Sequence, residues 1–324
     1  MTAPGTAADA ATATTAEVAS GQAVASVRSR RTVGVMASSL VQLARPRQWF
    51  KNVLVFAAPA AAGVLDSRAP LVDSLIAFVA FSLAASGTYF VNDARDVEGD
   101  RRHPSKRHRP VASGLVPVSL AYGGGVFLLA AGVALSFAAS ANLAAVVAGY
   151  IALTTAYSTV LKHVAVVDLV AVAAGFVLRA VAGAAATDVP ISEWFFIVTS
   201  FGALFIVSGK RGAEVREMGD DASDFRSVLA SYSTSYIAYL RSMTSGAVLV
   251  AYSLWAFEQA DLSRSDFPWH QLSILPFVMA ILRYALVLDQ GRGSAPEDII
   301  LGDRVLQLIG LAWVVVFALG VYTA

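Results

Sequence analysis

The sequence predicts an all-α, polytopic membrane protein: a bundle of about nine transmembrane helices with a cavity open on one side. Three observations carry this. Of 324 residues, 56% are hydrophobic and only 15% charged, whereas soluble domains are about one quarter charged. The apolar residues come in long runs, each close to the ~20 residues an α-helix needs to cross a bilayer core. The Lys and Arg residues gather in alternate connections between those runs.

The runs place spans at 49–64, 70–91, 117–138, 142–161, 164–186, 194–209, 236–257, 270–290 and 303–322. With the N-terminus inside, 17 Lys and Arg fall in inner segments and only Arg68 and Arg264 in outer loops. That asymmetry predicts a plasma (inner) membrane protein whose charged face looks into the cytoplasm. Residues 1–44 read as an Ala/Thr/Ser-rich disordered tail, without the charged and apolar regions of a signal peptide, ending in an interfacial helix over Thr32–Ala44. Residues 45–324 form the transmembrane domain.

Several chemistries are excluded. There is no cysteine, so disulfides, thiolate zinc sites and cysteine nucleophiles are all absent. His103, His108, His163 and His270 lack the spacing of a zinc hydrolase. No nucleic-acid partner is expected.

The chemistry concentrates in Asn92–Gly114, NDARDVEGDRRHPSKRHRPVASG, between two apolar runs. If the preceding helix continues at about 100° per residue, Asn92, Asp96, Asp100 and Asp93 fall at about 0°, 40°, 80° and 100°. Three carboxylates on one face repel, and protonation or a bound divalent cation relieves them. Oxygen-only ligands select a hard ion such as magnesium, which keeps positions open for water and substrate phosphates. The following cations, among them Arg95, Arg102, Lys106 and Arg109, complement such phosphates.

A second charged stretch, Lys210–Asp224, holds Lys210, Arg211, Glu214, Asp220, Asp221 and Asp224. Ser208-Gly209-Lys210 is not a P-loop, because Arg211 replaces the required Ser or Thr and Leu204 the first Gly. Tyr157 and Lys162 end the fourth span on the same side; Lys162 reads equally as a phosphate contact or as ordinary positive-inside charge. Asp168 lies inside a span, where a carboxylate costs up to about 3 kcal/mol, and therefore needs a partner or a pocket. Lys51, Arg241 and Arg283 point cations at the same mouth, while Arg179, nearer the outer end, reads as structural.

Asn92-Asp93-x-x-Asp96-x-x-x-Asp100 followed by Arg109-Pro110-Val111-Ala112-Ser113-Gly114 resembles the first motif of the UbiA-type membrane prenyltransferases. Arg45-Pro46-Arg47-Gln48-Trp49-Phe50-Lys51-Asn52 and Ser208-Gly209-Lys210-Arg211-x-x-Glu214 resemble motifs of the decaprenyl-phosphate phosphoribosyltransferase branch. The chain departs from other members by lacking a second DxxxD motif near residue 210. The resemblance implies a magnesium-dependent glycosyltransferase, with manganese able to substitute. It would move a 5-phosphoribosyl group from 5-phosphoribosyl 1-diphosphate to decaprenyl phosphate, for cell-wall arabinan synthesis. The metal ligands implied are Asn92, Asp93, Asp96 and Asp100, with Asp93, Asp96 and Asp100 catalytic. The substrate contacts implied are Lys51, Asn92, Arg95, Arg102, Lys106, Arg109, Tyr157, Lys162, Lys210, Arg211 and Glu214, with Lys210 and Arg211 on the 5-phosphate. The alternative within the superfamily is an aromatic or quinone-precursor prenyltransferase; from another class, a transporter. Membrane lipids are partners in each case, and self-association into a homo-oligomer is left open.

Overall fold

The computed structural model describes residues 34–218, 227–263, 265–291 and 295–323, and no strand occurs among them. The N-terminal tail, Asp220, Asp221, Asp224, Arg264 and Arg292 lie outside the described residues.

Helix α1 (Gly34–Ala44) ends at Arg45, whose left-handed backbone (φ 51°) redirects the chain. A 3-10 run, Pro46–Phe56, and a short helix α2 (Ala57–Ala61) follow. The main bundle is α3 (Arg68–Arg95), α5 (Val118–Ser136), α6 (Ala141–Thr159), α7 (Val167–Thr187), α8 (Glu193–Met218), α9 (Thr234–Leu262), α10 (Trp269–Asp289) and α12 (Arg304–Tyr322). Two short helices, α4 (Val97–Arg102) and α11 (Pro296–Gly302), lie in connections at one end. Side chains cap several starts: Ser140 accepts from the Leu143 amide, Ser233 from Tyr236 and Asp303 from Leu306, which satisfies donors a helix start leaves orphaned.

Seven helices, α3, α5, α6, α7, α8, α10 and α12, are long and apolar enough to cross a membrane. The expected count of nine is not reached among the described residues. The stretch expected at 49–64 is divided between the 3-10 run and α2. The span expected at 236–257 lies in α9, which has 29 residues but carries Arg241, Glu258 and Asp261 among many hydroxyls. A third difference matters for the site. Helix α8 runs on past residue 209 to Met218, so Lys210, Arg211 and Glu214 belong to a helix and not to a loop.

Packing follows residue size. On α3, Ala77, Ala80, Phe81 and Ala84 are fully buried, together with Leu143 and Val147 of α6, Ala182 of α7 and Val55. Small residues let backbones approach: a Cβ on Gly125 of α5 would meet the Gly87 carbonyl of α3 at 3.1 Å, the close-contact packing that replaces a hydrophobic driving force in lipid. Helix α7 is central, touching α3, α6, α8 and the 3-10 run. Its Gly183 is the tightest approach, since a Cβ there would lie 1.8 Å from the Val55 carbonyl oxygen.

Gly183→Ala is therefore expected to force the 46–61 segment off α7 at a cost of about 3 kcal/mol, the upper end of overpacking. Gly149 of α6 has nothing within 4 Å of its Cβ position, so Gly149→Ala should be neutral or stabilise by about 0.5–1 kcal/mol. Thermal unfolding in detergent compares the two.

Candidate functional site at the charged mouth

The α3–α4 junction keeps helical hydrogen bonding: the Asp96 amide donates to the Asn92 carbonyl and Asp100 to Asp96, each at 2.9 Å. Asn92, Asp96 and Asp100 are therefore stacked one turn apart, as their spacing predicts. Their environments differ sharply. Asp93 and Asp100 are buried, whereas Asp96 is exposed beside Arg95 at 3.4 Å.

The buried carboxylates are held by arginines. Arg109 Nη1 lies 3.2 Å from Asp93 Oδ1 and 2.8 Å from Asp100 Oδ2. Arg45 Nη2 meets the same Asp93 Oδ1 at 2.7 Å, with its guanidinium 4.4 Å above the Tyr89 ring. One oxygen of each carboxylate is left out of these pairings. Asn92 donates to Ser158 Oγ at 3.1 Å and Arg95 to the Ser158 carbonyl at 3.0 Å, so the acidic face is tied to the end of α6.

For a metal, the donors are of the right kind: oxygen only, one amide and three carboxylates on successive turns, suited to a hard divalent ion. With Arg109 between Asp93 and Asp100, no three acidic or histidine side chains among the described residues converge on one ion position. The donor chemistry fits a hard ion, and Arg109 Nη1 contacts two of the three carboxylates.

The preceding residue of α6, Tyr157, belongs to a second cluster. Asp168 is fully buried and Arg211 is 1% exposed. Arg211 Nε donates to Asp168 Oδ2 at 2.9 Å, Nη2 to the Tyr157 hydroxyl at 3.0 Å and Nη1 to Glu214. The Tyr232 hydroxyl donates to Asp168 Oδ1 and accepts from the Val166 amide at 2.7 Å. Val166 sits at φ 69°, a strained backbone for a β-branched residue, and that hydrogen bond holds it. Each guanidinium nitrogen of Arg211 thus bonds a protein group, and Arg211 is the partner that the intramembrane Asp168 required. Burial, followed by the hydrogen bond to Asp168, raises the Tyr232 hydroxyl above its ordinary value.

Lys210, on the same turn, is half-exposed and only 3.9 Å from Glu214. It acts electrostatically on Lys51, which pairs with Glu297 of α11 at 3.3 Å. Gln48 donates to the other Glu297 oxygen at 2.6 Å and Arg47 meets Asp298 at 3.0 Å. Burial pushes the Glu297 carboxyl up, but Lys51 and the Gln48 hydrogen bond outweigh it and hold it below its ordinary range. Arg179 is structural, as its position suggests. It donates to Asn52 at 2.8 Å, to the Tyr150 hydroxyl at 2.9 Å and to the Gly175 carbonyl.

Of the expected site residues, the mouth gathers Asn92, Asp93, Asp96, Asp100, Arg95 and Arg109 in one group, and Tyr157, Lys210, Arg211 and Glu214 in another. Lys51 lies within the field of Lys210, and Lys162 lies half-buried in the short turn Leu161–His163 beside them. Arg102 and Lys106 are exposed, Arg102 bonding only the Glu98 carbonyl. Sequence reasoning missed Arg45, Ser158 and Glu297 as members. A buried Asp implies some cation, but only the fold says which one. A groove of about 650 Å³ is largely apolar and lined by Val126, Leu129 and Val133 of α5, Phe137 just past its end and Ile151 of α6. It carries no chemistry of its own.

Arg211→Ala leaves Asp168 buried without its cation, so a loss of about 3–5 kcal/mol in stability is expected. Lys210→Ala removes only a loose pair and should leave unfolding within about 0.5 kcal/mol of wild type. Thermal unfolding in detergent checks both. The Glu297 pair gives a pH signature: because its folded value is lowered, its contribution is complete above the ordinary carboxylate range and fades as pH falls through the lowered value. Glu297→Gln should flatten that acid limb.

The sequence profile described as the UbiA prenyltransferase family matches residues 53–300. The chain is 45% identical over 291 residues to the decaprenyl-phosphate phosphoribosyltransferase of Corynebacterium glutamicum, covering 89% of this chain and 88% of that one. It is 46% identical over 283 residues to the protein of the same name from Mycobacterium tuberculosis, covering 86% of this chain and 93% of that one. The fold matches a UbiA homolog from Archaeoglobus fulgidus, solved bound to GPP and Mg2+, with a TM-score of 0.65 at 15% identity, over 88% of this chain and 100% of that one. A family profile spanning most of the chain, on a helical bundle whose charged mouth carries the expected motif, identifies this protein as a member of the UbiA prenyltransferase family.

Proposed function

We propose that this protein transfers the 5-phosphoribosyl group of 5-phosphoribosyl 1-diphosphate to decaprenyl phosphate or a similar long polyprenyl phosphate, releasing diphosphate, at the cytoplasmic face of the inner membrane. The product would feed cell-wall arabinan synthesis. The observation that carries this reading is the presence of two separate charged groups: the Asn92–Asp100 oxygen set with its arginines, and the Lys51–Glu297 and Lys210–Glu214 ion pairs. A donor with diphosphate at one end and phosphate at the other suits that division. The names of the relatives at 45 and 46% identity support the choice of substrates. An aromatic prenyltransferase is disfavoured because α8 offers Lys210, Arg211 and Glu214 where a second acidic motif would be needed.

Asn92, Asp93, Asp96 and Asp100 would hold a magnesium ion, for which manganese would substitute. When bound, the ion would supply positive charge against the departing diphosphate. Arg109 and Arg45 border the same oxygens and add fixed positive charge where negative charge develops. The Asp168–Arg211–Tyr157 network holds α8 so that Lys210 faces the mouth, placing the far phosphate relative to the near one. That positioning is itself catalytic, since both ends of the donor are fixed before the sugar carbon reacts. The acceptor is a phosphate already ionised near neutral pH, so no general base is required. His270, the buried histidine among the described residues, packs edge-on against Trp255. The inward orientation follows from 17 Lys and Arg on one side against 2 on the other.

Purified protein given radiolabelled 5-phosphoribosyl 1-diphosphate and polyprenyl phosphate should form a labelled lipid, lost with excess chelator and in Asp96→Ala or Asp100→Ala. No labelled lipid with wild-type protein overturns the reading. Lys51→Ala and Lys210→Ala should each raise the Michaelis constant for the sugar donor roughly ten- to a hundredfold, since a charged hydrogen bond to phosphate is worth roughly 1.5–3 kcal/mol. The acceptor's constant should change far less.

A further inference from the structure

Each of the three aspartates at the α3–α4 junction has an arginine beside it. Asp93 and Asp100 face Arg45 and Arg109, and Asp96 faces Arg95. Two of those carboxylates are buried, so each needs its counter-charge there and not in solvent. Arg109 is the pivotal cation: one nitrogen, Nη1, serves both Asp93 and Asp100. The two arginines are about equally exposed, 29% for Arg45 and 31% for Arg109, but only Arg45 is also held by stacking on Tyr89 among the described residues, while Arg109 follows the short turn Lys106–His108 in extended backbone.

We infer that Arg109 is a resident counter-ion that a divalent metal must displace, and that the same displacement delivers its guanidinium to the diphosphate. This rests on the proposed metal-diphosphate reading of the site. A divalent ion arriving alone meets oxygens already neutralised, and would leave two surplus positive charges in a partly buried site. A divalent ion arriving with diphosphate meets a different balance: the carboxylates exchange Arg109 for the metal, and Arg109 exchanges the carboxylates for phosphate oxygens, which its planar fork suits. Metal and diphosphate binding are then positively coupled, and linkage requires the coupling to be reciprocal. The enzyme would thereby stay closed to free cytoplasmic metal and admit the metal as part of its donor complex.

The test measures manganous ion binding by electron paramagnetic resonance on detergent-purified protein, with no sugar and no acceptor, alone and as its inorganic diphosphate complex. Wild type should bind the complex at least roughly tenfold more tightly than the bare ion. Arg109→Gln, which removes the competing charge, should bind the bare ion roughly tenfold more tightly than wild type and the complex more weakly. Arg109→Lys retains the charge and should keep the weak bare-ion affinity. The inference is overturned if Arg109→Gln leaves bare-ion affinity unchanged or lowers it, or if Arg109→Lys behaves like Arg109→Gln. Should Arg109→Gln not fold, wild type decides, because equal affinity for bare ion and complex also overturns it. Wild type that binds neither ion nor complex instead sinks the underlying reading of the site.

Discussion

A carboxylate and a guanidinium, both nearly inaccessible, hold the charged end of this bundle together. Asp168 opens α7, Arg211 lies in the last third of α8, Tyr157 closes α6 and Tyr232 precedes α9. Their hydrogen bonds join four chain segments around one buried charge pair. In such surroundings an unpaired ion costs several kcal/mol, so the segments are not free to part. The strained Val166 backbone is paid for by the same network. Everything that faces the mouth from this side, including Lys210, Glu214 and Lys162, takes its position from that tie.

The acidic face uses the same rule with a different outcome. Asp93 and Asp100 are also buried and also neutralised by arginine, but Arg109 remains partly exposed and serves two carboxylates through one nitrogen. Where Arg211 has every nitrogen committed to protein groups, Arg109 has nitrogens to spare. One arginine is built to stay and the other to exchange. The difference separates a structural ion pair from a binding site more clearly than residue type does, since both are Arg–Asp pairs close to a helix end.

Much of this was legible in the chain. The apolar runs lie within a few residues of α3, α5, α6, α7, α10 and α12 because hydrophobic length is set by the bilayer and needs no partner to be recognised. The Asn92, Asp96, Asp100 stack was legible because a helix places residues four apart on one face, and the junction at Asp96 preserves that bonding. Less legible were the 46–61 segment, where hydrophobicity alone does not distinguish a 3-10 run from an α-helix, and the length of α8. A run of Lys, Arg and Glu looks like a loop unless its partners are known; with Asp168 facing Arg211, the same residues continue a helix.

By itself the sequence determined the class of protein, the side on which its charge gathers and the donor type of the acidic face. These are properties of composition and local period, readable without knowing what lies opposite. Only the tertiary structure decided which cation answers which carboxylate. Arg45 reaches Asp93 across 48 positions, Arg211 reaches Asp168 across 43 and Arg47 reaches Asp298 across 251. A charge in the chain states a need for a counter-charge. Which residue meets that need is settled by helix packing, because Coulomb attraction depends on separation in space and takes no account of distance along the chain.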